Sequence, residues 1–333
     1  MRFDYSFLIR TLNEGKYLAT TLSYIVALDK YDQCEIVIVD SGSTDDTLEI
    51  AKKYGCKILI WDKSVWSWGG SLNFGIDRCE GSKIIITSGH CYIRQTDFIA
   101  RVGEIFRDEF DLDAVYGQQK PILGVDPFEE YELKQFFPEI SGRYSQVKEH
   151  LVGVSNACCV LKRSSWESLK FNESAQSMED GIWAYEMLDN GGSIIYTSEI
   201  HLFHSHELDP EYIYRKWYFR TFSGLEFLEK IMKGRLKYKI KANIKAILLP
   251  IFIYYMRLKD VSGFLRFNKV NGELVVKKKE ADIFFTLKSQ AIYDAHKEFY
   301  LKKSPQYWGD IQDFEGINRE FSSLMSKVKD LND

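Results

Sequence analysis

The chain has 333 residues, 45% hydrophobic and 28% charged, which suits a soluble domain with room for a substantial extension and excludes a disordered protein. Its net charge of −4 hides a division: residues 1–210 carry 20 Lys+Arg against 33 Asp+Glu (−13), whereas 211–333 carry 24 against 15 (+9). The first residues flank a short apolar run with charge and show no small-residue cleavage site, which argues against a signal peptide and for a cytoplasmic protein.

Residues 4–10 (DYSFLIR) predict a first strand, and Asn13 a cap for a helix whose apolar face holds Leu18, Leu22 and Ile25. In the stretch 35–47 (EIVIVDSGSTDDT) four apolar residues run without alternation into Asp40, the pattern of a strand buried on both faces. Ser43 with Asp46 resembles a capping box, and Gly55 supplies the stop of the helix that follows. A further strand is expected at 57–61, then a loop at 66–70, a short helix near 71–79 and a buried strand at 83–87 (KIIIT). Strands alternating with helices in this way predict a mainly parallel, wound α/β sheet, which places Asp40, Ser41 and Gly42 at the edge where such sheets bind ligands. A capped turn without a ligand is the alternative reading of that loop.

Thr96 is a candidate cap for a helix at 97–110, and a strand is expected at 114–117. Residues 121–150, with three prolines and weak periodicity, read as a long excursion over the site face. Strands at 157–161 and 193–197 bracket a helix at 180–188. From Tyr212 the pattern is one of long aromatic and basic helices, so the division expected is 1–210 and 211–333. Residues 212–270 hold 14 Lys+Arg and 3 Asp+Glu around the apolar run 246–256, which at 11 residues is too short to span a bilayer but suits an interfacial helix on an anionic membrane. Burial in an ordinary helical subdomain is the alternative. The six cysteines, Cys34, Cys56, Cys79, Cys91, Cys158 and Cys159, lack metal-type spacing and read as reduced packing residues.

Three segments together carry a family resemblance. SFLIRTLNEG, VIVDSGSTDDT and SLNFG resemble the opening strand, the V-V-D-D-G-S-x-D-x-T signature and the A-R-N-x-G segment of glycosyltransferase family 2, which has the GT-A fold. YGQQKP, Ser155 to Ala157, Glu179 with Asp180, and His204 to His206 are similar to a bacterial subgroup that includes rhamnosyltransferases of surface polysaccharide assembly. The resemblance covers about the first 225 residues and implies a GT-A sheet flanked by helices with a helical C-terminal extension.

It also implies roles. Asp40, Ser41 and Gly42 with Thr11, Asn13 and Glu14 would hold the nucleoside, and Ser71 and Asn73, at a helix start with free N–H groups, would approach the donor phosphates. Leu72 stands where the family often has Arg. Ser88, Gly89 and His90 stand where its Asp-x-Asp would ligate Mg²⁺ or Mn²⁺, so the need for a metal stays open; His90, His204 and His206 are the candidate ligands, or His90 donates directly to the diphosphate. Asp180 would be the general base of an inverting transfer, and Gln118, Asn156, Glu179 and Trp68 would line the acceptor side, with Trp66 a second aromatic beside it. The function implied is transfer of a sugar from a nucleoside-diphosphate donor to a saccharide acceptor, lipid-linked or free. A non-catalytic nucleotide- or glycan-binding domain and a nucleotidyltransferase are the rivals. No nucleic-acid motif is present, and a homo-oligomer is left open.

Overall fold

The computed structural model describes residues 3–62, 64, 67–122, 124–148, 150–206, 210–232, 260–262, 264–266, 269–270, 273–274 and 278–300. They form two compact units: residues 1–123 with 132–205, and residues 124–131 with 206–333. Trp66 and the apolar run 246–256 lie outside the described residues.

The first unit is built on an eight-stranded sheet. Its first half alternates β1 (Tyr5–Thr11), α1 (Gly15–Val26), β2 (Cys34–Asp40), α2 (Thr47–Lys53), β3 (Lys57–Ile60), α3 (Trp68–Asp77) and β4 (Lys83–Ser88). Then come α4 (Phe98–Asp108), β5 (Leu112–Lys120), α5 (Pro127–Phe136), of which residues 127–131 count with the second unit, β6 (Arg143–Ser145), β7 (Cys159–Lys162), α6 (Arg163–Ser168), α7 (Glu179–Asp189) and β8 (Ser193–Phe203). The strand order is β3-β2-β1-β4-β7-β5-β8-β6, with β7 and β6 antiparallel to their neighbours and the other pairings parallel.

Strand periodicity of two divides the core between the sheet's faces. Phe7, Ile9, Ile36, Ile38 and Ile85 face Leu18, Leu22 and Ile25 of α1 and Phe98, Val102 and Ile105 of α4. Leu8, Val37, Val39, Ile84 and Ile86 face Leu72 and Ile76 of α3, Trp166 of α6 and Trp183 and Met187 of α7. The unalternating apolar runs are therefore strands covered on both sides, as their patterning predicts. Burial pushes the thiols of Cys34, Cys56 and Cys79 up to about 12 and that of Cys91 to about 11, so they stay protonated at neutral pH, consistent with packing residues.

Several boundaries differ from expectation. Asn13 does not cap α1; it sits in the left-handed region at φ 57°, and its side chain is engaged elsewhere. Neither Ser43 nor Thr96 caps a helix: Asp46 precedes α2 and Asp97 precedes α4, both without a side-chain cap bond. The stop at Gly55 holds, because φ +69° at that position is left-handed backbone and its N–H reaches Lys52 O at 3.0 Å. The excursion at 121–150 contains α5 and the edge strand β6. Arg143 of β6 ion-pairs with Glu199 of β8 and with Asp108 and Glu109, and these long-range partners are invisible to local periodicity. β5 and β8 run longer than expected, to Lys120 and Phe203, which moves Gln118, Gln119 and His204 to strand ends.

The second unit contains α8 (Pro210–Met232) and α9 (Lys278–Tyr300), with a two-stranded hairpin of β9 (Lys269–Val270) and β10 (Glu273–Leu274). Tyr214 Oη donates to Asp294 at 2.7 Å between the helices, and Phe128 stacks on Phe264 and Phe284 at 4.5 and 4.4 Å. No helix among the described residues is long and apolar enough to cross a membrane.

Candidate active site

β1 to β5 and β8 all point the same way, so their carboxyl ends share one edge of the sheet. The chain steps outward from β1 to β2 and β3, then returns across β1 to β4. The order thus reverses between β1 and β4, and the crevice at such a reversal is where ligands bind in open α/β sheets. Thr11, Asp40, Ser88 and Gln118 lie on that edge.

Asp40 is fully buried and organises the first two loops. Its Oδ1 accepts from the N–H groups of Gly42 and Ser43 at 2.9 and 2.8 Å, and its Oδ2 from the hydroxyls of Thr11 and Ser43 at 2.9 and 2.5 Å. A carboxylate offers about four acceptor positions, and all four are filled. Asp40 is therefore the anchor of the loop, whereas the sequence reading has it gripping base and ribose as an open acceptor. The main chain at the start of α1 is likewise spent: the N–H groups of Asn13, Glu14 and Gly15 donate to Ser43 Oγ, Thr47 Oγ1 and Asp45 Oδ2 at 2.8, 2.8 and 2.9 Å. Asn13 Oδ1 accepts from Thr44 N at 2.8 Å. Hydrogen bonds from the Thr47 hydroxyl and from the N–H groups of Gly15 and Thr47 hold the Asp45 carboxyl below its usual range. The two loops form one cross-stitched frame. Ser41 lies in it with a buried hydroxyl that has no partner among the described residues.

The helix expected to begin near Ser71 begins at Trp68, capped by Ser67, whose Oγ accepts from Gly70 N at 2.8 Å. Ser71 N already donates to Ser67 O at 3.0 Å, so Ser71 and Asn73 are inside the helix and offer no free N–H to a phosphate. Asn73 is a structural pin. Its Nδ2 donates to Phe171 O and Glu173 Oε1 at 2.9 and 2.8 Å, while its Oδ1 accepts from Trp166 Nε1 and Phe171 N at 2.9 and 3.1 Å. The donor roles read for Ser71 and Asn73 are corrected by this geometry. Trp68, at the helix start, keeps 40% of its surface exposed.

At the end of β4, His90 Nδ1 lies 2.9 Å from Glu14 Oε1 and its Nε2 lies 3.2 Å from His204 Nε2. His204 Nδ1 in turn lies 2.7 Å from Gln119 Oε1. Gly89 makes the first contact feasible, since a Cβ there would meet Glu14 Cγ at 2.9 Å. With each Nδ1–H donated to its oxygen partner, the two Nε2 lone pairs converge on one point, which a shared proton or a cation must occupy. A separation of 3.2 Å matches two imidazole nitrogens on one ion with bonds of about 2.1 Å. The donor set therefore fits a borderline divalent ion, with Glu14 and Gln119 orienting the rings. His206 belongs to the second unit, where its ring packs on Tyr212 at 5.0 Å.

Glu179 and Asp180 open α7 after Met178, which is left-handed at φ 60°. Asp180 is half-buried; its Oδ2 accepts from Asn156 N at 3.1 Å and its Oδ1 from Gly181 N at 2.8 Å. The side chain of Asn156 reaches the neighbouring carboxylate, Nδ2 to Glu179 Oε1 at 3.2 Å. One residue thus holds both acids. Burial raises the Tyr116 phenol well above its ordinary value, with further upward contributions from Cys159, Asp180 and Glu179, so a neutral hydroxyl lies behind the pair. Gln118 Oε1 and Asn156 Oδ1 are buried and have no partner among the described residues.

The sequence reading missed Arg10 and Gln119. Arg10 Nη1 lies 3.3 Å from Glu179 Oε1 and 3.1 Å from Trp68 O, and its guanidinium lies 4.8 Å from the Trp68 ring centre. A charged residue one place from the end of an otherwise apolar strand was the signal for Arg10; Gln119 lay beyond the expected strand end.

The wound sheet, with its polar groups gathered at the switch point, has the GT-A fold. The solved structure of the mannosyltransferase PcManGT from Pyrobaculum calidifontis, in complex with GDP-Man and Mn²⁺, shares this fold, with a TM-score of 0.56, 16% identity, and coverage of 91% of this chain and 89% of that one. Residues 6–169, just under half of the chain, match the family model "Glycosyl transferase family 2". The chain is 25% identical over 191 residues to the O-antigen chain rhamnosyltransferase WbaN of Salmonella anatum, covering 55% of this chain and 60% of that protein. It is 24% identical over 219 residues to the O-antigen chain rhamnosyltransferase RfbN of Salmonella typhimurium, covering 63% and 69%. The chain thus spans about three fifths of the first relative and just over two thirds of the second.

Proposed function

We propose that the chain is an inverting glycosyltransferase that moves a sugar, of the deoxyhexose class named in its two relatives, from a nucleoside diphosphate to a saccharide acceptor in surface polysaccharide synthesis. The observation that carries this is Asp180, a half-buried carboxylate at the start of α7 held by two backbone N–H groups. Those bonds and the helix dipole favour the ionised form, which a general base requires. Asp180 takes the proton of the acceptor hydroxyl as its oxygen bonds to the anomeric carbon, and the bond from that carbon to the diphosphate oxygen breaks on the opposite side. The unpartnered oxygens of Gln118 and Asn156 are acceptors suited to other hydroxyls of the incoming saccharide. His90 and His204 would hold a divalent cation, which when bound offsets the charge of the departing diphosphate.

The test is release of nucleoside diphosphate from UDP-, GDP- and dTDP-sugars, measured with Mn²⁺, with Mg²⁺ and with chelator. Turnover of at least one donor, with weaker diphosphate binding in His90→Ala, is expected. No binding of any donor would refute the transferase reading, and unchanged diphosphate affinity in the variant would refute the role of His90.

The basic stretch 212–270 is assigned to attachment at an anionic cytoplasmic membrane face, on its 14 Lys+Arg against 3 Asp+Glu. Each such residue near an anionic leaflet contributes roughly 1 kcal/mol. Co-sedimentation should need anionic lipid and weaken at high salt and when Lys237, Lys239, Lys241 and Lys245 become Glu. Equal pelleting with neutral vesicles, or none, would assign the stretch to packing.

A further inference from the structure

Arg10 touches both walls of the crevice in the first unit. From the central strand β1, Nη1 uses its two hydrogens on the carbonyl of Trp68, the first residue of α3, and on Glu179, the first residue of α7. The Arg10 and Glu179 side chains are 15% and 8% exposed, so the pair is largely withdrawn from water. Glu179 Oε1 also accepts from Asn156 Nδ2, and the backbone N–H of Asn156 holds Asp180. A chain of direct contacts therefore runs from Trp68 through Arg10, Glu179 and Asn156 to Asp180.

We infer that Arg10 is a positioning residue for the transfer: by neutralising Glu179 and fixing it against Asn156, it sets the orientation of Asp180 and ties it to the start of α3. This rests on the transferase reading above. Two features favour a role beyond packing. A buried carboxylate beside a second one is tolerated as an ion only if a cation offsets it, and among the described residues Arg10 is the cation that the structure places on Glu179. The guanidinium fork also fixes direction, because its second bond and the Trp68 ring face hold it in one plane. Without Arg10, the Glu179 carboxylate loses the partner that fixes it against Asn156, and its displacement releases Asn156 Nδ2 and loosens the turn that presents Asp180.

The test is a double-variant cycle of Arg10→Met and Glu179→Gln on the full chain, read on thermal unfolding and on release of nucleoside diphosphate from UDP-, GDP- and dTDP-sugars, with Arg10→Lys as the conservative variant. Arg10→Met should lower kcat by about 10- to 100-fold, the scale of a small misplacement of a reacting group. Its affinity for UDP, GDP or dTDP should stay within about twofold of the wild type, because positioning acts on the reacting step. Arg10→Lys should recover part of kcat. The double variant should unfold at a higher temperature than Arg10→Met, since the stranded charge is gone. Additive unfolding shifts would overturn the pairing without reference to any activity. A wild-type kcat in Arg10→Met, or equal losses in kcat and nucleotide affinity, would overturn the positioning role. A wild-type chain that turns over no donor would instead refute the transferase reading, and with it the kinetic consequence drawn here. If Arg10→Met does not fold, folding of the double variant supports the pairing, and the kcat of Arg10→Lys against its nucleotide affinity decides the role.

Discussion

Asp180→Asn is expected to reduce kcat by about 10²- to 10⁴-fold, the contribution of a positioned general base, with nucleoside-diphosphate affinity within about twofold of the wild type. The substitution removes the basic oxygen but keeps size and shape. One local cost can be anticipated. Asp180 receives N–H bonds at both oxygens, from Asn156 and Gly181. An Asn presents one oxygen and one NH₂ group there, so one of these N–H groups loses its acceptor. The site is half-buried, so the stability loss should be about 1 kcal/mol, visible as a few degrees in Tm and far too small to explain the rate. Donor turnover and nucleotide titration on the same preparation separate the effects. If kcat survives, the base is another group; if nucleotide binding falls with kcat, Asp180 belongs to the donor pocket.

The fold was legible in the sequence where one physical cause dominates. Uninterrupted apolar runs such as 36–39 and 84–86 became strands covered by helices on both faces, because no other structure buries both sides of an extended chain. The order of the site's parts was legible too, since Asp40, His90 and Asp180 all stand near element ends. What each residue does locally was less legible. Ser43 has the spacing of a cap, yet its hydroxyl is drawn to the buried carboxylate of Asp40, which a solvated helix N-terminus cannot outbid. Asn13 has the composition of a cap, yet the crossing from β1 to α1 needs left-handed backbone there, which Asn tolerates better than most residues. Ser71 and Asn73 were misplaced by three residues because Trp68, Gly69 and Gly70 look like loop, whereas Ser67 caps the helix before them. Arg10 with Glu179 and His90 with His204 are 169 and 114 residues apart, and no local pattern announces such pairs.

The correction at Asn73 leads to the largest expected stability effect. Asn73→Ala removes an amide that fills both donor and both acceptor positions, and it strands Trp166 Nε1 with the N–H and carbonyl of Phe171. Trp166 and Phe171 are each 2% exposed, so water cannot take over these bonds without opening the packing between α3 and α6. Glu173 is exposed and loses little. Three buried groups left unpaired, at about 1–3 kcal/mol each and not fully additive, put the loss at roughly 3–5 kcal/mol. For a folded unit of this size that is about 6–20 °C in Tm. Asn73→Asp should be no better, since it keeps an acceptor for Trp166 and Phe171 N but loses both donors and sets a charge near Glu173. A donor-binding Asn73 would behave in the opposite way: Ala would weaken nucleotide affinity and leave thermal unfolding nearly unchanged. Calorimetry beside a UDP, GDP and dTDP titration distinguishes them, and a Tm within about 2 °C of the wild type would restore the ligand role that the resemblance implies for this residue.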